Sequence, residues 1–151
     1  MKSKIFMLVL LMSVLMISCN QKNQQEKTTD QNPVSITKNE NLKLQVYYFY
    51  SAHRCPTCNS IENNVKKVME TQFSNEIKEG VVNVSYVNIE DKENKALVEK
   101  LQVYGSSLFL VQYKGDQEVI HDLTEYAYTY SRKQPDIFIQ GISDTIKSYL
   151  N

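Results

Sequence analysis

The sequence predicts an α/β domain: a central mixed sheet of about four strands flanked by helices, in the order βαβαββα. Three observations predict it. Runs of β-branched and aromatic residues alternate with runs whose apolar residues recur every three or four positions. The strand–helix–strand start calls for parallel pairing through a right-handed crossover. The later strands meet at Lys114-Gly115-Asp116, a tight turn that calls for an antiparallel hairpin.

Each element has its own signal. Leu44, Val46, Tyr48 and Tyr50 alternate with Gln45, Tyr47 and Phe49, which predicts a mostly buried first strand. Ser51 to Pro56 is a break. Ile61, Val65, Val68, Met69, Phe73 and Ile77 then keep helical spacing until Gly80. Val81 to Ile89 alternates again and predicts a second strand. Asp91 is placed to N-cap a second helix carrying Ala96, Leu97 and Leu101, and Gly105 breaks the chain after it. The charge run Glu90 to Lys100 is the solvated face of that helix. Leu108 to Tyr113 and Glu118 to His121 are the hairpin strands, with His121 structural or exposed. Thr124 to Gln134 is a short helix or structured loop, and its Tyr126, Tyr128 and Tyr130 are assigned to packing. Pro135 fits the first position of a last helix. Ile137, Phe138, Ile142, Ile146, Tyr149 and Leu150 form that helix's buried side.

Composition narrows the function classes. The 151 residues carry 17 basic and 17 acidic side chains, which speaks against a nucleic-acid binder. An apolar share of 42% and a charged share of 23% are ordinary for a globular chain. Three cysteines are too few for a disulfide-stapled scaffold, and they are an odd number.

The N-terminal region reads separately from the domain. Lys2 and Lys4 precede an apolar run from Ile5 to Ile17, broken only by Ser13. As a helix it spans about 20 Å against a hydrocarbon core of about 30 Å, too short for an ordinary membrane span. Its charge pattern is that of a secretory signal. The run ends in Leu15-Met16-Ile17-Ser18-Cys19, which resembles the lipobox of bacterial lipoproteins, with Met16 where Leu is commonest. The resemblance implies cleavage before Cys19, a diacylglycerol on its thiol and acylation of the new N-terminus. Residues 1–18 are then a lipoprotein signal peptide. Loss of Lys2 and Lys4 leaves 15 basic against 17 acidic residues, a net charge of −2. Residues 19–41 hold the lipidated Cys and a polar stretch of Asn, Gln, Lys and Thr, too poor in apolar residues to fold. As a coil it spans roughly 25 Å, enough to hold the domain of residues 42–151 above a membrane on a flexible tether. Asn20, not Asp, follows the lipid-bearing Cys. By resemblance to sorting rules in some Gram-negative bacteria, this favours the outer over the inner membrane of the bacterial cell envelope, with the domain facing the periplasm.

The chemistry is carried by Cys55-Pro56-Thr57-Cys58, placed where the first strand gives way to the first helix. Backbone N–H groups and the helix dipole at that terminus stabilise an anion, and such sites depress cysteine pKa values. Cys58, one turn into the helix, can close a small disulfide ring with Cys55. His53 and Arg54 add positive charge beside the pair and favour a Cys55 thiolate.

From Lys43 to Leu150 the chain resembles the thioredoxin-like family. The strand Val46-Tyr47-Tyr48-Phe49-Tyr50, the CxxC pair at a strand–helix junction, the element order and the closing hairpin and helix carry the resemblance. It implies Cys55 as the exposed nucleophile and Cys58 as the resolving thiol of a redox-active disulfide. Three positions depart from the family pattern. Arg54 replaces the aromatic usual before the first Cys, and Phe49 stands six positions before it, where many members carry a buried acid. Ser106 or Ser107 stands where the family has a cis-proline facing the pair. Cis peptides are almost confined to proline, so this bond is expected to be trans and the substrate-pairing loop altered.

The function expected is that of a membrane-tethered, extracytoplasmic thiol–disulfide oxidoreductase, in a compartment that permits disulfides. Its partners are protein thiols or disulfides of the envelope, the membrane through Cys19 and, by family analogy, a membrane-embedded electron donor. No cofactor, resident metal or nucleic acid is implied. Two alternatives stay open: a copper-handling lipoprotein using Cys55, Cys58 and His53, and a non-catalytic binding module with a structural disulfide.

Overall fold

The computed structural model describes residues 41–151. These residues form β1 (Leu44–Tyr50), α1 (Pro56–Gln72), α2 (Ser74–Lys78), β2 (Val82–Asn88), α3 (Lys95–Lys100), β3 (Ser107–Lys114), β4 (Gln117–Asp122), α4 (Thr124–Tyr130) and α5 (Pro135–Leu150). A 3-10 turn, Lys92–Asn94, leads into α3. The segment expected to be a signal peptide, Cys19 and the polar stretch up to residue 40 lie outside the described residues.

The sheet order is β2-β1-β3-β4. β1 runs parallel to β2, with Leu44 opposite Val82 and Tyr50 opposite Asn88. It runs antiparallel to β3, with Tyr48 opposite Leu108. β3 and β4 form the antiparallel hairpin, closed at Lys114 and Gln117. This mixed α/β architecture is thioredoxin-like, as the sequence predicts. The central place of β1 explains why both its faces are apolar: six of its seven residues are buried.

Alternation along the strands builds two cores. Val46, Tyr48, Leu108 and Leu110 face α1, α4 and α5 through Ile61, Val65, Ala127, Phe138, Ile142 and Ile146. Tyr47, Phe49, Phe109 and Val111 face the opposite way, onto Leu97, Val98, Leu101 and Val103. The one polar side chain buried in β1, Gln45, is satisfied by Ser85 Oγ at 3.0 Å and Asn83 Nδ2 at 2.8 Å.

The structure differs from the sequence expectations at several points. The helix expected to run on to Ile77 breaks at buried Phe73 (φ −126°), and α2 continues it so that Ile77 still reaches the core. Asp91 does not cap a helix through its side chain; its carboxylate accepts from Asn88 Nδ2 at 3.0 Å. Ala96 is exposed. The left-handed residue after α3 is Gln102 (φ 52°), three positions before Gly105. Ile137, expected on the buried side of α5, is 50% exposed, while Phe138 is fully buried. Adjacent helical residues stand about 100° apart, so the two cannot share the centre of one face. The segment Thr124 to Gln134 begins with α4, in which Tyr126 and Tyr130 lie four residues apart, rings 4.8 Å apart, and pack on the core.

Candidate functional site

The start of α1 follows from two adjacent residues. Proline forces the preceding residue out of the helical region, and Cys55 is extended (φ −83°, ψ 158°), the geometry of an N-cap. Pro56 then occupies the first helical position, where a missing N–H costs nothing. The Cys55 carbonyl accepts from Asn59 N–H at 3.0 Å, and its sulfur accepts from Cys58 N–H at 3.0 Å. A cysteine sulfur therefore takes the capping role that a Ser or Asp oxygen usually fills.

Cys55 and Cys58 are joined as a disulfide, their Cα atoms 5.0 Å apart. Cys55 is partly exposed and Cys58 is buried. The first turn of α1 carries no acidic residue to compete for its N–H groups. An attacking thiolate at Cys55 would face a backbone donor and the positive end of a 17-residue helix.

The surrounding shell is aromatic. Tyr48, from the centre of β1, donates its hydroxyl to the Cys58 carbonyl at 2.8 Å. Burial pushes the Tyr48 phenol above its ordinary value, while the Ser106 hydroxyl and Arg54 act in the opposite sense. Ser106 is buried against this hydroxyl, on the loop that leads into β3. Ser107 does not join it: its hydroxyl turns to the Gly105 carbonyl at 3.0 Å. No cis peptide occurs among the described residues. Tyr128, from α4, brings its hydroxyl to 3.6 Å from Cys58 Sγ.

Arg54 and His53 differ. Arg54 is ion-paired with Glu62, which also holds Lys66 at 2.7 Å. Its guanidinium lies 4.8 Å from the Tyr50 ring centroid and 6.0 Å from that of Tyr48. The positive charge expected beside Cys55 thus comes with a counter-charge. His53 is exposed, and its carbonyl accepts from Ser51 Oγ at 3.2 Å. Among the described residues, no three His, Cys, Asp or Glu side chains gather to hold a metal ion. His53 therefore does not complete a site with the two sulfurs. Phe49 faces the opposite core, so β1 presents no carboxylate toward the pair.

A thioredoxin from Thermus thermophilus is similar at 18% identity, with a TM-score of 0.43, over 66% of this chain and 73% of that one. A malarial protein of known structure is similar at 16% identity, with a TM-score of 0.40, over 66% of this chain and 96% of its own. No family model and no curated protein matches the chain. The thioredoxin-like architecture stands on the strand order and pairing described above.

Sequence reasoning assigned Tyr128 to packing with Tyr126 and Tyr130, whereas Tyr128 is 43% exposed and turns its hydroxyl to Cys58. It read Tyr48 only as a buried strand residue and did not name Glu62. For Tyr128 a signal was present. Three tyrosines at alternate positions of a helix cannot share one face, so the middle one had to point away from its neighbours.

Proposed function

We propose that the chain is a thiol–disulfide oxidoreductase working through Cys55 and Cys58. The observation that carries this is the disulfide at the start of α1, with a backbone N–H aimed at Cys55 Sγ. A Cys55 thiolate attacks one sulfur of a partner disulfide, and the partner's other sulfur leaves as a thiolate. Cys58, deprotonated, then attacks Cys55 Sγ. The Cys55–Cys58 disulfide forms, the second partner sulfur leaves, and the partner has gained two electrons. Run in reverse, the same steps oxidise a partner dithiol.

The same proposal places the protein in the bacterial cell envelope. Cys19 carries the lipid, residues 1–18 are removed as the signal peptide, and residues 19–41 tether the domain to the outer membrane. Support comes from the charged start, the short apolar run and Ser18-Cys19. The partners are envelope proteins bearing thiols or disulfides, and a membrane-embedded donor renews the dithiol.

Exchange with a peptide disulfide tests the chemistry. The full chain is expected to catalyse it and Cys55→Ser to abolish it; equal activity of the two would sink the assignment. Cys58→Ser is expected to trap mixed disulfides at Cys55 that name the partners. Palmitate labelling lost in Cys19→Ala tests the anchor, and membrane fractionation tests its place.

A further inference from the structure

Cys58 has a chemical problem that the fold has to meet. As the resolving group it must carry negative charge on its sulfur, yet it is 4% exposed. Burial disfavours a thiolate. The strand beneath offers Phe49 on the far side of the sheet rather than a carboxylate. The helix-terminal N–H of Cys58 is spent on Cys55 Sγ. Of the groups around the pair, Tyr48 gives its hydroxyl to the Cys58 carbonyl. Arg54 is committed to Glu62. The hydroxyl within reach of Cys58 Sγ is that of Tyr128, at 3.6 Å.

The direction of this contact follows from the chemistry of the disulfide. A disulfide sulfur has no hydrogen, so the Tyr128 O–H is the donor. Tyr128 itself is 43% exposed. Packing alone does not demand a tyrosine there, unlike Tyr126 and Tyr130 on the opposite side of α4.

We infer that Tyr128 is a catalytic residue of the exchange, its hydroxyl donating to Cys58 Sγ and stabilising the negative charge that this sulfur carries. The inference rests on the oxidoreductase assignment above. In the resolving direction, the Cys58 thiol loses its proton to solvent. The thiolate, held by the Tyr128 O–H, attacks Cys55 Sγ and expels the partner's sulfur. In the opposite direction, an incoming thiolate attacks Cys55 Sγ and the Cys55–Cys58 bond breaks. The electron pair leaves with Cys58, whose sulfur again accepts from Tyr128. A hydrogen bond to a charged group shifts an equilibrium by about tenfold or more; with Tyr128 partly exposed, about tenfold applies to the Cys58 thiolate equilibrium.

Stopped-flow reaction of the reduced full chain with excess 5,5′-dithiobis(2-nitrobenzoate) separates the two sulfurs. Cys19→Ser in every sample leaves only the pair to react. The first thionitrobenzoate is released by Cys55 attack and depends on reagent concentration. The second is released when Cys58 attacks Cys55 Sγ and is independent of it. Tyr128→Phe is expected to leave the first phase unchanged. It is expected to slow the second about three- to fourfold at pH 6, because an about tenfold smaller thiolate fraction is partly offset by a more nucleophilic thiolate, and to move that phase's pH profile up by about one unit. A second phase unchanged in rate and pH profile overturns the inference, as does an equal change in both phases, which marks a general distortion. An unchanged unfolding midpoint of Tyr128→Phe shows that only the hydroxyl was lost. A parent chain that releases only one thionitrobenzoate fails the oxidoreductase assignment itself, and this inference falls with it.

Discussion

The Arg54 guanidinium is ion-paired with the Glu62 carboxylate while lying 4.8 Å from the Tyr50 ring centroid. The cation next to the nucleophile is thus held by an anion two turns into the same helix that Cys55 caps. Both side chains are largely shielded, at 27% and 16% exposure, so neither charge is fully screened. Removing the anion is expected to release the field of Arg54 onto Cys55. Glu62→Gln should lower the Cys55 thiol pKa by roughly half a unit, and Arg54→Ala should raise it by a similar amount. Iodoacetamide alkylation of the reduced chain against pH reads both shifts. Shifts of the same sign in the two variants would refute the pairing as the control on Cys55.

On α5, Ile137 and Phe138 are neighbours in sequence with opposite environments, 50% and 0% exposed. Phe138 packs between Tyr126, whose ring is 5.9 Å away, and the residues of the larger core. Phe138→Ala should therefore cost about 3–5 kcal/mol. Ile137→Ala should stay within about 0.5 kcal/mol. Urea denaturation of the two variants checks the contrast, and comparable losses would mean that α5 is rotated from the position described.

The same pair of residues shows what the sequence held and what it did not. Strands were legible because β1 sits between two cores and must be apolar on both faces, a pattern that Leu44 to Tyr50 carries unaided. The start of α1 was legible because Cys55-Pro56 is a local instruction. A helical face was legible only to within one residue, so Ile137 was grouped with Phe138. The contacts around Cys58 were not legible, because they are made across the fold. Tyr128 is 70 residues from Cys58 and Ser106 is 58 from Tyr48. Only the docking of α4 and of the β3 loop against α1 brings them together. Nothing in the spacing of Arg54 and Glu62 marked them as partners either, since eight residues along a chain that starts outside the helix is not a helical repeat.

Helices α2 and α3 end in the same hydrogen-bonded arrangement with different residues at its strained position. After α2, Gly80 (φ 72°) donates to the Ile77 carbonyl at 3.1 Å and Val81 to that of Glu76 at 2.8 Å. After α3, Gln102 (φ 52°) donates to the Glu99 carbonyl at 3.2 Å and Val103 to that of Val98 at 3.0 Å. Both are Schellman caps, whose left-handed residue is normally glycine. A side chain there costs roughly 1–2 kcal/mol in conformation, and glycine's extra freedom in the unfolded chain offsets part of that. Gln102 is exposed, so Gln102→Gly removes the strain without opening a cavity. It should raise stability by about 0.5–1 kcal/mol, read as a higher unfolding midpoint. Gly80→Gln should lower it by a similar amount. A destabilising Gln102→Gly would show that its side chain contributes something beyond the backbone turn.

Acid should loosen the far end of the sheet through His121. Its ring stacks on Tyr149 with centroids 4.2 Å apart, and its Nε2 is buried without a hydrogen-bond partner among the described residues. Burial first, and Lys114 second, hold its pKa below the ordinary value of 6.5. The sign follows from linkage. The unfolded chain takes up a proton near the ordinary value, and the folded chain only at lower pH, so the unfolded state binds more protons in between. His121 therefore leaves stability intact above about pH 6.5 and withdraws it as pH falls below that value toward the folded pKa. The ring is partly exposed, so the loss is a fraction of a kcal/mol. Lys114, the nearby cation, stays charged throughout this window and reinforces the penalty. The unfolding midpoint of the parent chain should drop more between pH 7.5 and 5.5 than that of His121→Gln, whose side chain stays neutral. Identical slopes would assign the acid sensitivity to the carboxylates instead.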